Sequence, residues 1–239
     1  MTETRRLYYE DVYKKEFTAT VVECRERKKG YEVILDESAF YPEGGGQPSD
    51  VGILGDAKVT EVHEKDGELL HYTDKALEVG AKVEGKIDWA RRFDLMQQHS
   101  GEHMVSGIIH AKYGYDNVGF HMGSDVITVD LNGMLDEAQL AEIEQEVNER
   151  VWEDKEVQIT YPTAEELKTL DYRSKKELTG QVRIVTFPGV DVCACCGTHV
   201  THTGEIGMVK LLSVVKFRDG IRMEMICGKR VLDYLNMVN

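Results

Sequence analysis

Residues 81–114 read AKVEGKIDWARRFDLMQQHSGEHMVSGIIHAKYG, and their period changes part-way along. AKVEGKIDW alternates apolar and polar positions, which predicts a half-buried strand. From about residue 90 the apolar positions recur every three to four residues, which predicts a helix. On that helix Met96, His99, His103, Gly107 and His110 form one stripe, with Met104, Val105, Ile108 and Ile109 beside it. Gly101 and Gly107 each cost roughly 1 kcal/mol against alanine in a helix interior. A helix that keeps both implies close approach of neighbouring chain at those two points.

Upstream of this stretch the alternation continues. EFTATVVEC, a turn around RERKKGY, and EVILD predict a hairpin over 16–36. After FYPEGGGQPSDVGIL, the runs AKVTEVHE and ELLHYTD flank Asp66–Gly67, a strong hairpin signal. Residues 1–88 therefore predict a small β-barrel domain. Downstream, strands and helices mix. VGFHMGSDVITVDLNG predicts two strands around Gly123–Ser124, and 136–154 an acidic amphipathic helix. VQITYPT predicts a strand and AEELKTLDYRS a third, shorter helix. VRIVTFPGVDVCACCGTHV predicts strand, turn, strand. MVKLLSVVKFRDGIRMEMICG predicts a hairpin turning at Asp219–Gly220, and KRVLDYLNMVN a closing helix. Helices packed on an antiparallel sheet make 89–239 an α+β domain, and the chain as a whole is of the α+β class.

At 239 residues the chain is long enough for one or two cores. No apolar run approaches the roughly 20 residues of a membrane helix. MTETRRLYYEDVYKKEF lacks the apolar stretch of a signal peptide. The expected compartment is the cytoplasm, with no membrane partner. Five cysteines, three of them at 193, 195 and 196, read there as metal ligation rather than disulfides. A net charge of −14 argues against a general nucleic-acid binder. Basic residues still cluster at Arg25, Arg27, Lys28 and Lys29, at Arg91 and Arg92, at Arg173, Lys175 and Lys176, and at Lys229 and Arg230. Solvated faces are the bland reading of such clusters. A local face made by the last three groups with Arg222 is the expected route to a phosphate backbone.

Two half-motifs carry the chemistry. His99 and His103 are four apart, so a helix sets them one turn apart on one face, able to meet one ion. The order differs from the metalloprotease H-E-x-x-H, because Ser100 follows the first histidine and Glu102 directly precedes the second. Far downstream, VDVCACCGTHV offers a thiolate and an imidazole. Thiolate with imidazoles is a ligand set that suits zinc. Several choices stay open on spacing alone: Cys193, Cys195 or Cys196, with His199 and His202. A structural zinc built within that segment is the main competitor.

QQHSGEHMVS followed far downstream by CCGTHV resembles the editing domain shared by alanyl- and threonyl-tRNA synthetases. FYPEGGGQPSDVG resembles the glycine-rich motif of the alanyl branch. KVEGKIDWARRFDLMQQHS resembles that family's run into its zinc helix, and RDGIRMEMICGKRVLDYL its C-terminal stretch. Nothing in the chain resembles an ATP-dependent aminoacylation core. The combination resembles the freestanding alanyl-tRNA editing proteins, AlaX, of the medium-length class. The resemblance implies an editing domain at 89–239 with zinc on His99, His103, Cys195 and His199. It implies a hydrolase that removes the wrong amino acid, serine first and glycine second, from mischarged alanine tRNA. It places Glu102 beside the metal and His121 near the substrate pocket, both as candidate catalytic groups. It gives substrate or tRNA contact to Gln98, Arg222, Gly45, Gly46 and Gln47. Cys196 departs from the common Cys-Gly-Gly-Thr-His pattern and adds a competing thiol. The rival readings are a threonyl-type editing protein, a metal-dependent hydrolase of small esters or peptides, and an RNA-binding module with structural zinc.

Overall fold

The computed structural model describes residues 3–174 and 180–238; Lys175 and Lys176 lie outside the described residues. The chain divides into two compact units, Met1–Leu95 and Met96–Asn239.

In the first unit alternation becomes a closed sheet. Strands β1 (Glu16–Glu26), β2 (Tyr31–Leu35), β3 (Gly52–Leu54), β4 (Ala57–Lys65), β5 (Glu68–Thr73) and β6 (Lys82–Ile87) form a barrel in the order β1-β2-β5-β4-β3-β6, as the alternation predicts. Every pairing is antiparallel, and closure leaves no edge to aggregate. Phe17, Ala19 and Val21 alternate inward along β1 and join Val33, Leu35, Leu54, Val62 and Ile87 in the core. Asp66 and Gly67 both hold positive φ, 53° and 82°, as the two-residue turn between β4 and β5 requires. The short β3 shows no period of its own, so its sequence gives no strand signal.

The barrel also buries polar groups, each with its partners in place. Arg92 and Asp50 are fully buried and paired. Arg92 Nε donates to both Asp50 oxygens at 3.0 Å, and its other nitrogens donate to the carbonyls of Ala39 and Val12. Sequence had placed Arg92 on a basic surface; the structure spends its charge inside the unit. His71 is also fully buried. Its Nδ1 donates to Val33 O at 3.0 Å, so its Nε2 accepts from Ser38 Oγ at 2.7 Å. Burial pushes the His71 pKa down to about 4, against a smaller opposing pull from the Val33 carbonyl.

The division between the units falls within helix α1 (Trp89–Tyr113). The second unit continues with β7 (Asn117–Met122), β8 (Ile127–Leu131), α2 (Glu137–Trp152), β9 (Gln158–Thr160), β10 (Ile184–Phe187), β11 (Asp191–Ala194), β12 (Val209–Phe217), β13 (Gly220–Cys227) and α3 (Lys229–Val238). Four strands make one antiparallel sheet in the order β12-β13-β8-β7, and three make another in the order β9-β10-β11. Asp136 starts α2 through a reciprocal capping box with Gln139. The third helix is only Ala164–Leu167, shorter than the sequence predicts. The reason lies just beyond it: Arg173 is extended, donating its N–H to Val192 O and accepting from Ala194 N–H. An extended residue bonded to a strand cannot also continue a helix. The β12–β13 turn falls at Arg218–Asp219, one residue earlier than expected, with Arg218 at φ 51°. No described helix is long and apolar enough to cross a membrane.

The two helix glycines do mark close approach. A Cβ on Gly101 would overlap Cys227 Sγ, and one on Gly107 would lie 2.6 Å from Val190 O and 2.7 Å from Asp191 Cβ. His110, last in the predicted stripe, instead turns to solvent and pairs with Asp116.

Candidate metal centre

Helix α1 presents His99 and His103 from consecutive turns, with ring centroids 5.2 Å apart. The segment after β11 brings Cys195 and His199 against them; His199 lies 4.5 Å from the His99 ring and 4.8 Å from the His103 ring. One donor atom from each of the four residues lies within 4.8 Å of all the others. Cys195 Sγ is 3.5 Å from His99 Nε2 and 3.4 Å from His199 Nε2. Zinc bonds of about 2.3 Å to sulfur and 2.0–2.1 Å to nitrogen, set tetrahedrally, place such S···N pairs about 3.5 Å apart. The donor set and its spacing therefore fit a tetrahedral ion. All three histidines are buried.

The far sides of the rings are also engaged. His103 Nδ1 meets Asp191 Oδ2 at 2.9 Å, and His199 Nδ1 meets Ser100 Oγ at 3.2 Å. Engaging Nδ1 fixes each ring so that Nε2 faces the centre. Phe120 stacks on His99 and Phe187 on His103, with centroids 5.5 and 5.6 Å apart, walling the site with aromatic carbon. The cysteine loop has its own clamp: Arg183 Nη1 donates to the carbonyls of Cys195 and Gly197 at 2.8 and 3.0 Å. Gly197 N–H points at Cys195 Sγ from 3.3 Å.

The electrostatics suit a cation. Burial pushes the Cys195 thiol up, but His99 and His199, with the hydrogen bond from His103, carry it well below the ordinary thiol range. Burial and the neighbouring His99 push His199 down to about 3, despite the opposing pull of Cys195. Burial also disfavours charge on His103, yet its bonds to Asp191, Cys193 and Cys195 raise it well above the usual imidazole value. A metal needs a thiolate and neutral imidazoles, so an ion binding there would compete with protons for the same four groups.

Of the ligands left open by spacing, Cys196 and His202 are exposed. Cys193 is buried and belongs to a second close group with His103 and Asp191. Arg173 already holds both oxygens of that aspartate, through Nε to Oδ1 at 2.7 Å and Nη2 to Oδ2 at 2.8 Å. A guanidinium in that position opposes a second cation. A cleft of about 930 Å³ opens beyond Asp191, lined by Gly107, Asn117, Tyr172, Arg173 and Phe187 among others.

The remaining candidates scatter. Glu102 is buried and accepts hydrogen bonds from Ser106 and Asn117. Gln98 is buried, with both ends of its amide bonded to the Cys227 backbone at 2.8 Å, which pins α1 to β13. His121 lies apart from them. It follows Phe120, whose ring faces His99, and neighbours on a strand point to opposite faces. It is exposed, across from Thr128, on the sheet face turned away from the four donors. Arg222 shares that outer face, paired with Asp130 at 2.6 Å and laid 3.9 Å over Phe217. Lys229 pairs with Asp233, and Arg230 donates to Gly123 O, so the expected basic face is largely spent on internal pairs. In the barrel unit Gly44 and Gln47 exchange backbone hydrogen bonds around Gly45 and Gly46, at φ 61° and 85°. That turn is exposed at its two glycines, while Gln47 is buried. Sequence reasoning missed Asp191, Ser100 and Arg183, and it gave Arg173 to a phosphate-facing surface, whereas its guanidinium is spent on Asp191; an acid between two valines in VDV was the one local hint of a buried carboxylate.

Residues 182–222 match the family described as the threonyl and alanyl tRNA synthetase second additional domain, and residues 2–91 match class II (A) tRNA synthetases. The chain is 35% identical to the alanyl-tRNA editing protein AlaX-L of Pyrococcus horikoshii, over 98% of this chain and 60% of that protein. It is 32% identical to the mouse alanyl-tRNA editing protein Aarsd1, over 94% of this chain and 59% of that one. An alanine–tRNA ligase of Methanobrevibacter smithii is 36% identical over 99% of this chain but 28% of its own length. The chain thus spans about 60% of the length of the editing proteins it matches.

Proposed function

We propose that this chain, a homologue of the alanyl-tRNA editing proteins, is a zinc-dependent hydrolase of wrongly charged alanine tRNA. Ser-tRNA(Ala) is its main substrate in this reading and Gly-tRNA(Ala) the second. The observation that carries the reading is the convergence of His99, His103, Cys195 and His199 at tetrahedral spacing.

Those four residues would hold the ion. Zinc, when bound, supplies Lewis acidity, polarising an ester carbonyl and making water a better nucleophile near neutral pH. The chain's own residues do the rest. Phe120 and Phe187 exclude water from the rings they cover. Glu102 lies on the helix beside His99 and His103, and its bonds from Ser106 and Asn117 orient the carboxylate. In this reading Glu102 accepts the proton of the attacking water. Contact with tRNA falls to the exposed Gly45–Gly46 turn and to Arg222. Serine is the expected substrate because a synthetase pocket rejects an added hydroxyl only weakly, so the error needs a second, hydrolytic sieve. A pocket that bonds the hydroxyl passes over alanine, which leaves those groups unpaired.

Four protein donors also favour a second reading, a structural zinc in an RNA-binding module, because catalytic zinc usually keeps a position open. One experiment separates them: deacylation of Ser-tRNA(Ala) beside Ala-tRNA(Ala), before and after zinc removal. Zinc-dependent loss of serine alone is the expected result. Tight tRNA binding with no turnover, zinc still bound, would overturn the hydrolase in favour of the module.

A further inference from the structure

We propose that Asp191, Arg173 and Gly107 form one positioning device for the metal centre, acting through His103; the inference rests on the metal reading above. Asp191 is buried, and its Oδ2 takes the Nδ1 side of His103 at 2.9 Å. A carboxylate there fixes the ring's tautomer and rotation and raises the basicity of the nitrogen left for the ion. The pair joins a buried histidine to a buried carboxylate, with both side chains almost wholly shielded from water.

Asp191 is itself held twice over. Arg173 grips both oxygens in a two-pronged pair, at 2.7 and 2.8 Å. Such a fork fixes the plane of the carboxylate as well as its place. The arginine is fixed in turn by its backbone. Its N–H donates to Val192 O at 2.8 Å and its carbonyl accepts from Ala194 N–H at 2.9 Å, bracketing Cys193 on β11. The guanidinium is therefore registered against the strand that carries its partner.

Gly107 supplies the space. It follows His103 by one helical turn, on the same face. An alanine Cβ there would sit 2.7 Å from Asp191 Cβ and 2.6 Å from Val190 O, tighter than real contacts allow. Alanine must push β11 away from α1 and lengthen the Asp191–His103 bond. The glycine that weakens the helix is what lets the carboxylate reach the ligand.

The test is zinc affinity, by competition with a chromophoric chelator, which needs no tRNA. Asp191→Asn keeps the shape and removes the charge; the expected loss is about 10–100-fold. Gly107→Ala should weaken zinc in the same direction. Asp191→Asn with Arg173→Gln removes both charges together, so no buried guanidinium is left unpaired, and should also bind zinc at least tenfold more weakly. Asp130→Asn, which breaks the outer-face pair with Arg222, should leave affinity unchanged. A nitrogen-15 spectrum of the histidines should show the His103 Nδ1 signal move in the Asp191 variants and stay put in Asp130→Asn. Folded Asp191 variants with zinc affinity within twofold of wild type would overturn the device alone. A wild-type protein that binds no zinc would remove the metal reading, and the device with it.

Discussion

Both units bury histidine, and they use it differently. In the barrel, His71 spends both ring nitrogens on protein groups, Ser38 and the Val33 carbonyl. In the second unit His99 and His199 bring Nε2 to within 3.5 and 3.4 Å of Cys195 Sγ, while His103 and His199 fix Nδ1 on Asp191 and Ser100. The ion pairs differ in the same way. Arg92 and Asp50 are satisfied by one another and by the backbone groups of Val12, Ala39 and Tyr41. Arg173 and Asp191 form a pair that continues into a ligand. Burial and saturation mark structure; buried donors turned toward a shared point mark chemistry.

The largest effect that contrast predicts is at the shared point. Stripping zinc, or replacing Cys195 with serine, should slow Ser-tRNA(Ala) deacylation about a thousandfold or more, the several kcal/mol of charge stabilisation a bound ion supplies. Single-turnover kinetics would show it, and an unchanged rate would break the comparison. Next comes the saturated pair. Asp50→Ala leaves Arg92 buried without its carboxylate and should destabilise the barrel by about 3–5 kcal/mol in denaturant unfolding, with zinc affinity unmoved. Replacing both partners with apolar residues should recover most of that loss.

A third, similar effect comes with acid. The folded pKa of His71, about 4, lies below its ordinary 6.5, so the unfolded chain takes up the extra proton first. The stability is whole above pH 6.5 and falls as pH drops toward 4, by about 3 kcal/mol. Urea midpoints across that window should show the fall, and His71→Gln should flatten it. The smallest effect sharpens the contrast from outside. His121→Ala, on the outer sheet face, should keep deacylation within about twofold, whereas Glu102→Gln should slow it about a hundredfold or more.

How much of this was legible beforehand follows from the reach of each signal. The barrel was readable because β1 alternates over Glu16–Val22 and Asp66–Gly67 has one favoured turn, although the alternation of β4 breaks at a register shift after Val59. The His99–His103 pair was readable because a helix places i and i+4 together whatever surrounds it. Gly101 and Gly107 announced close approach through their helix penalty. What stayed hidden depended on distant chain. Asp191 meets His103 across 88 residues, and no local period marks that. The side to which His121 points depends on strand register, which includes an irregularity at Asp130/Leu131. Arg92 looked like surface because a charge gives no sign of its own burial; only Asp50, 42 residues away, explains it.

One consequence of the donor geometry concerns assembly rather than catalysis. Cys195 and His99 are 96 residues apart in the chain. An ion joining them closes a loop of that length, as a disulfide would, and the chain-entropy view puts such closure at about 4–5 kcal/mol. An ion bound there would then act as a staple, holding the β10–β11 hairpin to the helix. It would be fastened late, since the helix can form locally while the loop must first find it.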